Sequence, residues 1–465
     1  MMSKTKQSSP SRSCVAIDVV EPGARSRKGW LRCEIGKNVE FSTTSLESYF
    51  FAQWNRIAYD ALLVAAAVEF GDRTQRRPAY TWRREIALNI PVHDPDRWND
   101  KRVTEALQDT LDFLTGDRWQ IEFYRRSEPQ SQPQQGLLSI NAAVEAVIPF
   151  SNGLDSRAVA GLMARELGDK LVRVRLGSRL QDREGLSRQR EAFTSVPYDV
   201  KSDERPFVES TARSRGFKFA LISSLAAHLA DASQVIVSES GQGALGPTLV
   251  AVGQSYEDYR SHPLFTRRME TFVHALLAHR VSFVFPQLWH TKAETLRKFI
   301  NECDEHSSWS ATWSCWQQNR HASVDHKRRH CGICAACMLR RLSVHAAGQE
   351  EAKERYVWED LSASTFPAGA APSFGAQKIT KALREYAIAG VLHFDHLAGL
   401  LDSPANARML ELNAFQLSGA LGLPEVDTRA KLTRLLRQHG SEWKNFMVSL
   451  GQNSFVADWA MSARS

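Results

Sequence analysis

Val144-Glu145-Ala146-Val147-Ile148-Pro149-Phe150, followed at once by Ser151-Asn152-Gly153-Leu154-Asp155-Ser156, sets the fold class of this chain. The short apolar run predicts a buried strand, and apolar residues at helical spacing predict a helix over residues 156–167. The turn between them is built from small polar residues. Backbone N–H groups of such a turn, with the positive end of the following helix, converge on a phosphate. The Ser151 and Ser156 hydroxyls can donate to it, and Gly153 lets the backbone come close. Asp155 would be repelled by bare phosphate, so its role runs through Mg2+ or through holding the loop. An ordinary polar turn with Ser156 near the N-cap is the bland alternative. The alternation continues downstream, with strands expected over Leu171–Leu176, 234–238 and 281–285 and helices over 217–229 and 264–279. That pattern implies a parallel α/β sheet.

The cysteines carry the second signal. Cys14, Cys33 and Cys303 are scattered, whereas Cys331, Cys334 and Cys337 have two successive C-x2-C spacings, with Cys315 sixteen positions earlier. Seven cysteines in 465 residues are no disulfide scaffold. Four thiolates suit a closed, tetrahedral and therefore structural Zn2+ site; an iron–sulfur cluster is the rival, since thiolates suit it too. His321, His326 and His330 lie between the ligands and are expected to be solvated loop residues.

Composition bounds the rest. Hydrophobic residues make up 43% and charged residues 24%, which excludes global disorder, and the net charge of +7 permits a nucleotide or RNA partner without requiring nucleic acid. No apolar run approaches the roughly eighteen residues of a membrane span. The Ser/Lys/Arg-rich start lacks the apolar core of a secretory signal, so a cytoplasmic protein is expected.

Two stretches read as linkers: Pro/Gln-rich residues 127–136 and Ala/Gly/Pro/Ser-rich residues 364–375. They divide the chain into an accessory domain with its linker (1–136), a central domain holding both motifs (137–363) and a helical extension (364–465). The first is expected to be α+β, of β-β-α-β-α-β type, with strands over Cys14–Val20, 30–35, 84–92 and 119–124 and helices over 46–70 and 96–114. Its run Arg73, Arg76, Arg77, Arg83, Arg84 would suit an acidic partner surface, or be plainly solvated.

The hexamer at 151–156 resembles the S-G-G-x-D-S loop of the ATP pyrophosphatases (PP-loop enzymes), with Asn152 at the second, usually glycine, position. Asn tolerates left-handed backbone angles, so the loop can survive the change. Ser314-Cys315 with Cys331-Gly332-Ile333-Cys334-Ala335-Ala336-Cys337-Met338-Leu339-Arg340 resembles the S-C … C-G-x-C-x2-C-x-L-R end of the 7-cyano-7-deazaguanine synthases, the QueC family. Residues 215–230 look like that family's basic position before a small-residue helix, here Arg215 or Lys218. Residues 286–299, with Lys292-Ala293-Glu294, are similar to its P-L…K-x-E stretch. The resemblance covers roughly residues 140–345. The cysteine gap is longer than in housekeeping synthases, and Ser261-His262-Pro263 stands where the family has Y-P-D. With both termini extended, the layout resembles the antiviral-island (QatC-type) branch.

The resemblance implies a Rossmann-like (HUP-type) sheet and an ATP-dependent C–N ligase that forms AMP and pyrophosphate. Its carboxylate would resemble 7-carboxy-7-deazaguanine, which the family converts to an amide and then a nitrile. Ser151, Asn152, Gly153, Leu154, Asp155 and Ser156 would hold pyrophosphate, with Mg2+ and basic residues from Arg215, Lys218 and Lys292 assisting. Alternatives remain: attachment of a deazaguanine to a protein amine, possible through a partner in a defence system; a housekeeping queuosine-pathway synthase; or an inactive nucleotide-binding scaffold.

Overall fold

The computed structural model describes residues 14–41, 56–77, 83–127, 143–176, 193–196, 198–203, 206–209, 213–250, 256–303, 308–317 and 319–462. Most of the first expected linker therefore lies outside the described residues. The chain forms two compact units, the first from residues within 1–147, 174–235 and 265–282, the second from 148–173, 236–264 and 283–465.

In the first unit, β1 (Cys14–Val20), β2 (Leu31–Glu34), β4 (Glu85–Val92) and β5 (Arg118–Arg125) form a sheet of order β2-β1-β4-β5. All its pairings are parallel. This corrects the expected α+β class: the unit is α/β. The clue lies in β4, whose last five residues are all buried, as in a strand covered on both faces. The helix expected over 46–70 is described as Arg56–Thr74, and its expected start falls outside the described residues. The helix expected over 96–114 is broken. A turn at Pro95–Trp98 ends at Asn99, and the Asp100 side chain caps a new helix, Lys101–Thr115, by accepting from the Arg102 N–H.

The boundary drawn at residue 136 does not close this unit. Strand β3 (Val39–Phe41) pairs with β9 (Tyr198–Val200), and the Ser214 N–H donates to Asp72 at 2.8 Å. The arginine run is solvated only in part: Arg76 and Arg83 are exposed, the other three are not. Arg84 is fully buried and ion-paired to Asp72 and Asp117, Arg77 reaches the same two carboxylates, and Arg73 pairs with Glu69.

A second sheet has the order β11-β10-β6-β7-β8. Its strands are β6 (Ala146–Pro149), β7 (Leu171–Leu176), β8 (Phe193–Val196), β10 (Gln234–Ile236) and β11 (Ser282–Val284). Strand β10 lies parallel to β6. The chain leaves β6 for β7 on one side and later places β10 on the other, so the carboxyl ends of β6 and β10 flank a switch point, where open α/β sheets bind ligands.

The second unit is mostly helical: Leu154–Leu167, Lys292–Cys303, Ala335–Ala346 and the tail helices Lys381–Ala398, Ala407–Leu421, Glu425–Leu450 and Phe455–Ser462. Residues 364–375 are packed rather than linking. Phe366 stacks on Trp358 at 4.7 Å, Phe374 meets the same indole at 5.3 Å, and both phenylalanines are buried. Two aromatics within an otherwise small-residue stretch are what anchor it. Among the described residues, no helix is long and apolar enough to cross a membrane.

Candidate functional site

Strand β6 delivers the chain to the expected loop, and the helix begins at Leu154 with Gly153 at its N-cap. No side chain caps that end, which leaves its first N–H groups for an anion. Gly153 has φ −75°, and Asn152 is not among the residues of positive φ. The loop therefore needs no left-handed residue at its second position, and asparagine fits for a simpler reason than tolerance of strain. Its carbonyl instead accepts from the Trp313 N–H at 2.7 Å.

The hydroxyls form a chain: Ser151 Oγ lies 2.9 Å from Ser156 Oγ, which lies 3.4 Å from Ser238 Oγ. Ser240 Oγ donates to Asp155 Oδ1 at 3.1 Å, and Lys292 Nζ pairs with Asp155 Oδ2. Asp155, Ser156, Ser240 and Lys292 are all buried. Of the two roles open to Asp155, holding the loop is the one these contacts display.

Lys292 opens its helix behind a capping box. Thr291 Oγ1 accepts from the Glu294 N–H at 3.2 Å, and Glu294 Oε2 accepts from the Thr291 N–H at 2.8 Å. Lys218 belongs to the first unit, where it pairs with Glu69 at 2.6 Å and burial lowers its pKa against the pull of that carboxylate. Arg215, also in the first unit, lies with its guanidinium 5.3 Å from the Phe219 ring centre. Within the second unit, only Lys292 of the three basic candidates meets the loop.

The four thiols of Cys315, Cys331, Cys334 and Cys337 are buried and lie within 4.8 Å of one another. Backbone N–H groups point at the sulfurs: Cys331 N to Cys315 Sγ at 3.2 Å, Cys334 N to Cys331 Sγ at 3.3 Å and Cys337 N to Cys334 Sγ at 3.4 Å. Gly332 turns the chain at φ +86°, and a Cβ there would lie 2.9 Å from the Trp358 carbonyl. Such a donor set, with its sulfurs already oriented, fits zinc. Among the described residues, no histidine joins it. The expectation of solvated histidines fails for His330, which is 2% exposed, 4.3 Å from the Trp313 ring and pushed down to about 4 by burial.

Arg340, one turn beyond Cys337, is fully buried and bidentate to Glu351. It also donates to Thr312 Oγ1 at 2.7 Å and to Ser314 Oγ at 3.3 Å. One arginine thereby fixes the segment that supplies both Cys315 and the Trp313 N–H held by the loop.

Sequence reasoning missed four residues that complete the cluster: Ser238, Ser240, Gln242 and His439. The first three lie in Ser238-Glu239-Ser240-Gly241-Gln242-Gly243, a small-residue stretch that leaves a strand and runs into a short helix, Gly241–Ala244, with Ser240 at its N-cap. That is the same signature as the first loop, and it was there to be read. His439 lies within a long tail helix and gave no such signal.

Residues 238–348 match the family model for queuosine biosynthesis protein QueC. The match spans Ser238, Ser240, Gln242, Lys292 and all four cysteines, and supports a QueC-like family for the chain. No curated protein and no solved structure matches.

Proposed function

We propose that the protein is a QueC-like, ATP-dependent C–N ligase that adenylates a carboxylate and releases pyrophosphate. The observation that carries this reading is the convergence, at an uncapped helix N-terminus, of Ser151, Ser156, Ser238 and the buried Asp155–Lys292 pair. The loop N–H groups and hydroxyls would receive the β- and γ-phosphates. Lys292, held at the loop by Asp155, would meet the charge that grows on the leaving pyrophosphate as the carboxylate oxygen attacks the α-phosphorus. An amine then attacks the acyl carbon and AMP departs. Asp155 Oδ1 accepts from Ser240 and Oδ2 pairs with Lys292, and each oxygen keeps a lone pair with which it could hold the Mg2+ that would accompany ATP and neutralise phosphate charge. Zinc on the four cysteines would close a structural site and hold the segment that braces the loop.

The carboxylate we propose is a 7-carboxy-7-deazaguanine type, following the family match, and the setting we propose is an antiviral defence system. Arg215 and Lys218 remain proposed contributors to the site. Incubation of the full chain with ATP, 7-carboxy-7-deazaguanine and ammonia, followed by mass analysis, tests the reading. An amide or nitrile with stoichiometric pyrophosphate supports it. A deazaguanine adduct on a protein would move the acceptor to a polypeptide amine, and no pyrophosphate under any condition would leave a scaffold.

A further inference from the structure

A series of buried hydrogen bonds runs from the C-terminal extension to the loop. His439, on the helix Glu425–Leu450, is fully buried. Its Nε2 lies 3.0 Å from the Phe394 carbonyl, which can only accept, so Nε2 carries the proton and Nδ1 presents a lone pair. Gln242 Nε2 lies 2.8 Å from that Nδ1 and must be the donor. The amide is thereby fixed with Oε1 toward Lys292, whose backbone N–H it accepts at 2.7 Å. Lys292 in turn places its ammonium on Asp155.

The same tail helix grips the neighbours of Lys292. Glu442 Oε1 accepts from Thr291 Oγ1 at 2.7 Å, and Arg434 pairs with Glu294. Gly241 makes the approach possible: a Cβ there would lie 2.3 Å from the Leu288 carbonyl and 2.5 Å from Leu435 of the tail helix. The start of the helix that opens with Lys292 is thus set by the extension at three points, Thr291, Lys292 and Glu294, the second through a side chain whose orientation His439 dictates.

We infer that the C-terminal extension is part of the ATP site, with His439 the positioning residue that sets Lys292 against Asp155 through Gln242. The inference rests on the reading of residues 151–156 as that site. Were His439 replaced by an apolar residue, the Gln242 amide would lose its acceptor and could turn. Its NH2 would then face the Lys292 N–H, donor against donor, and push the helix start away. Asparagine at 439 places an amide oxygen near the Nδ1 position and restores the acceptor.

The test compares the full-length wild type with His439→Leu, His439→Asn and Leu436→Ala. The last cuts a cavity in the same helix without touching the relay, and so reports what loss of packing alone does. Two readouts are taken well below each variant's Tm: steady-state ATP turnover, and the Lys292 ammonium titration followed by NMR on 13C-methylated protein, assigned with Lys292→Arg. The expected result for His439→Leu is a kcat about 10- to 100-fold lower at little-changed KM, as for a misplacement of an ångström or less. Its Lys292 titration shifts from the wild-type position. His439→Asn recovers most of both, and Leu436→Ala moves neither. Wild-type values for His439→Leu, or equal losses in His439→Leu and Leu436→Ala with no recovery in His439→Asn, would overturn the relay. If the wild type turns over no ATP, the functional reading falls, and the Lys292 titration alone still decides the role of His439.

Discussion

The backbone N–H of Trp313 donates to the carbonyl oxygen of Asn152 at 2.7 Å, which ties the segment carrying Cys315 to the middle of the phosphate loop. Arg340 fixes the other end of that tie through Thr312 and Ser314. Cysteine cluster and loop are therefore linked by a short set of hydrogen bonds, and disturbing one should be felt at the other.

The first prediction concerns metal. Purified protein should carry about one zinc per chain, because four oriented thiolates make a closed tetrahedral site. Single Cys→Ser changes at 315, 331, 334 or 337 should lower zinc content and solubility, and stripping the metal with a chelator should weaken ATP binding. Elemental analysis showing iron, with a visible charge-transfer band, would assign the site to an iron–sulfur cluster instead.

Arg340→Leu should be severely destabilising. It would take the bidentate partner from the nearly buried Glu351 side chain, leaving it Arg355 and the Tyr356 hydroxyl, so the loss should approach the lower end of the roughly 3–5 kcal/mol of a broken buried ion pair. Urea unfolding measures it. A loss under about 1 kcal/mol would mean that the clasp carries little.

Substitutions within the loop should separate structure from activity. Asp155 is buried against Lys292, so Asp155→Ala strands a buried ammonium and should cost stability as well as turnover. Ser156→Ala removes only a hydroxyl, at about 1 kcal/mol, and should still abolish most ATP turnover. Thermal melts beside turnover assays check both; an active Ser156→Ala protein would argue against the loop.

Acid should weaken the fold before the carboxylates titrate. Burial pushes His439 down to about 4 and His262 to about 3, from an ordinary 6.5. Between pH 6.5 and about 4 the unfolded chain binds protons at both positions that the folded chain refuses. Stability is then present above 6.5 and falls on acidification. Each histidine contributes up to about 1.4 kcal/mol per pH unit in that window, and His262 continues to about 3. Urea midpoints between pH 7 and 5 test this, and His439→Asn should flatten the slope. A pH-independent midpoint would contradict it.

Much of the site was legible in the sequence because local spacing encodes it. Residues 151–156 announce a strand-to-helix turn, and the cysteine spacings announce a cluster that the fold brings within 4.8 Å. Partners were not legible. Nothing near His439 in the chain indicates that Gln242, 197 positions away, needs an acceptor. The arginine run around residues 73–84 looked like a surface because charge in a sequence says nothing of the Asp72 and Asp117 that bury Arg84. The first sheet was misjudged for a related reason: strands such as β1 and β4 fix burial, while their parallel pairing depends on the path of the connections.

The central claim is that residues 151–156 seat the pyrophosphate of ATP, and the products of ATP turnover test it most directly. Phosphorus NMR of ATP incubated with the full-length protein, 7-carboxy-7-deazaguanine and ammonia should show AMP and pyrophosphate in equal amounts, with both lost in Ser156→Ala. ADP and inorganic phosphate from the wild-type protein would contradict it.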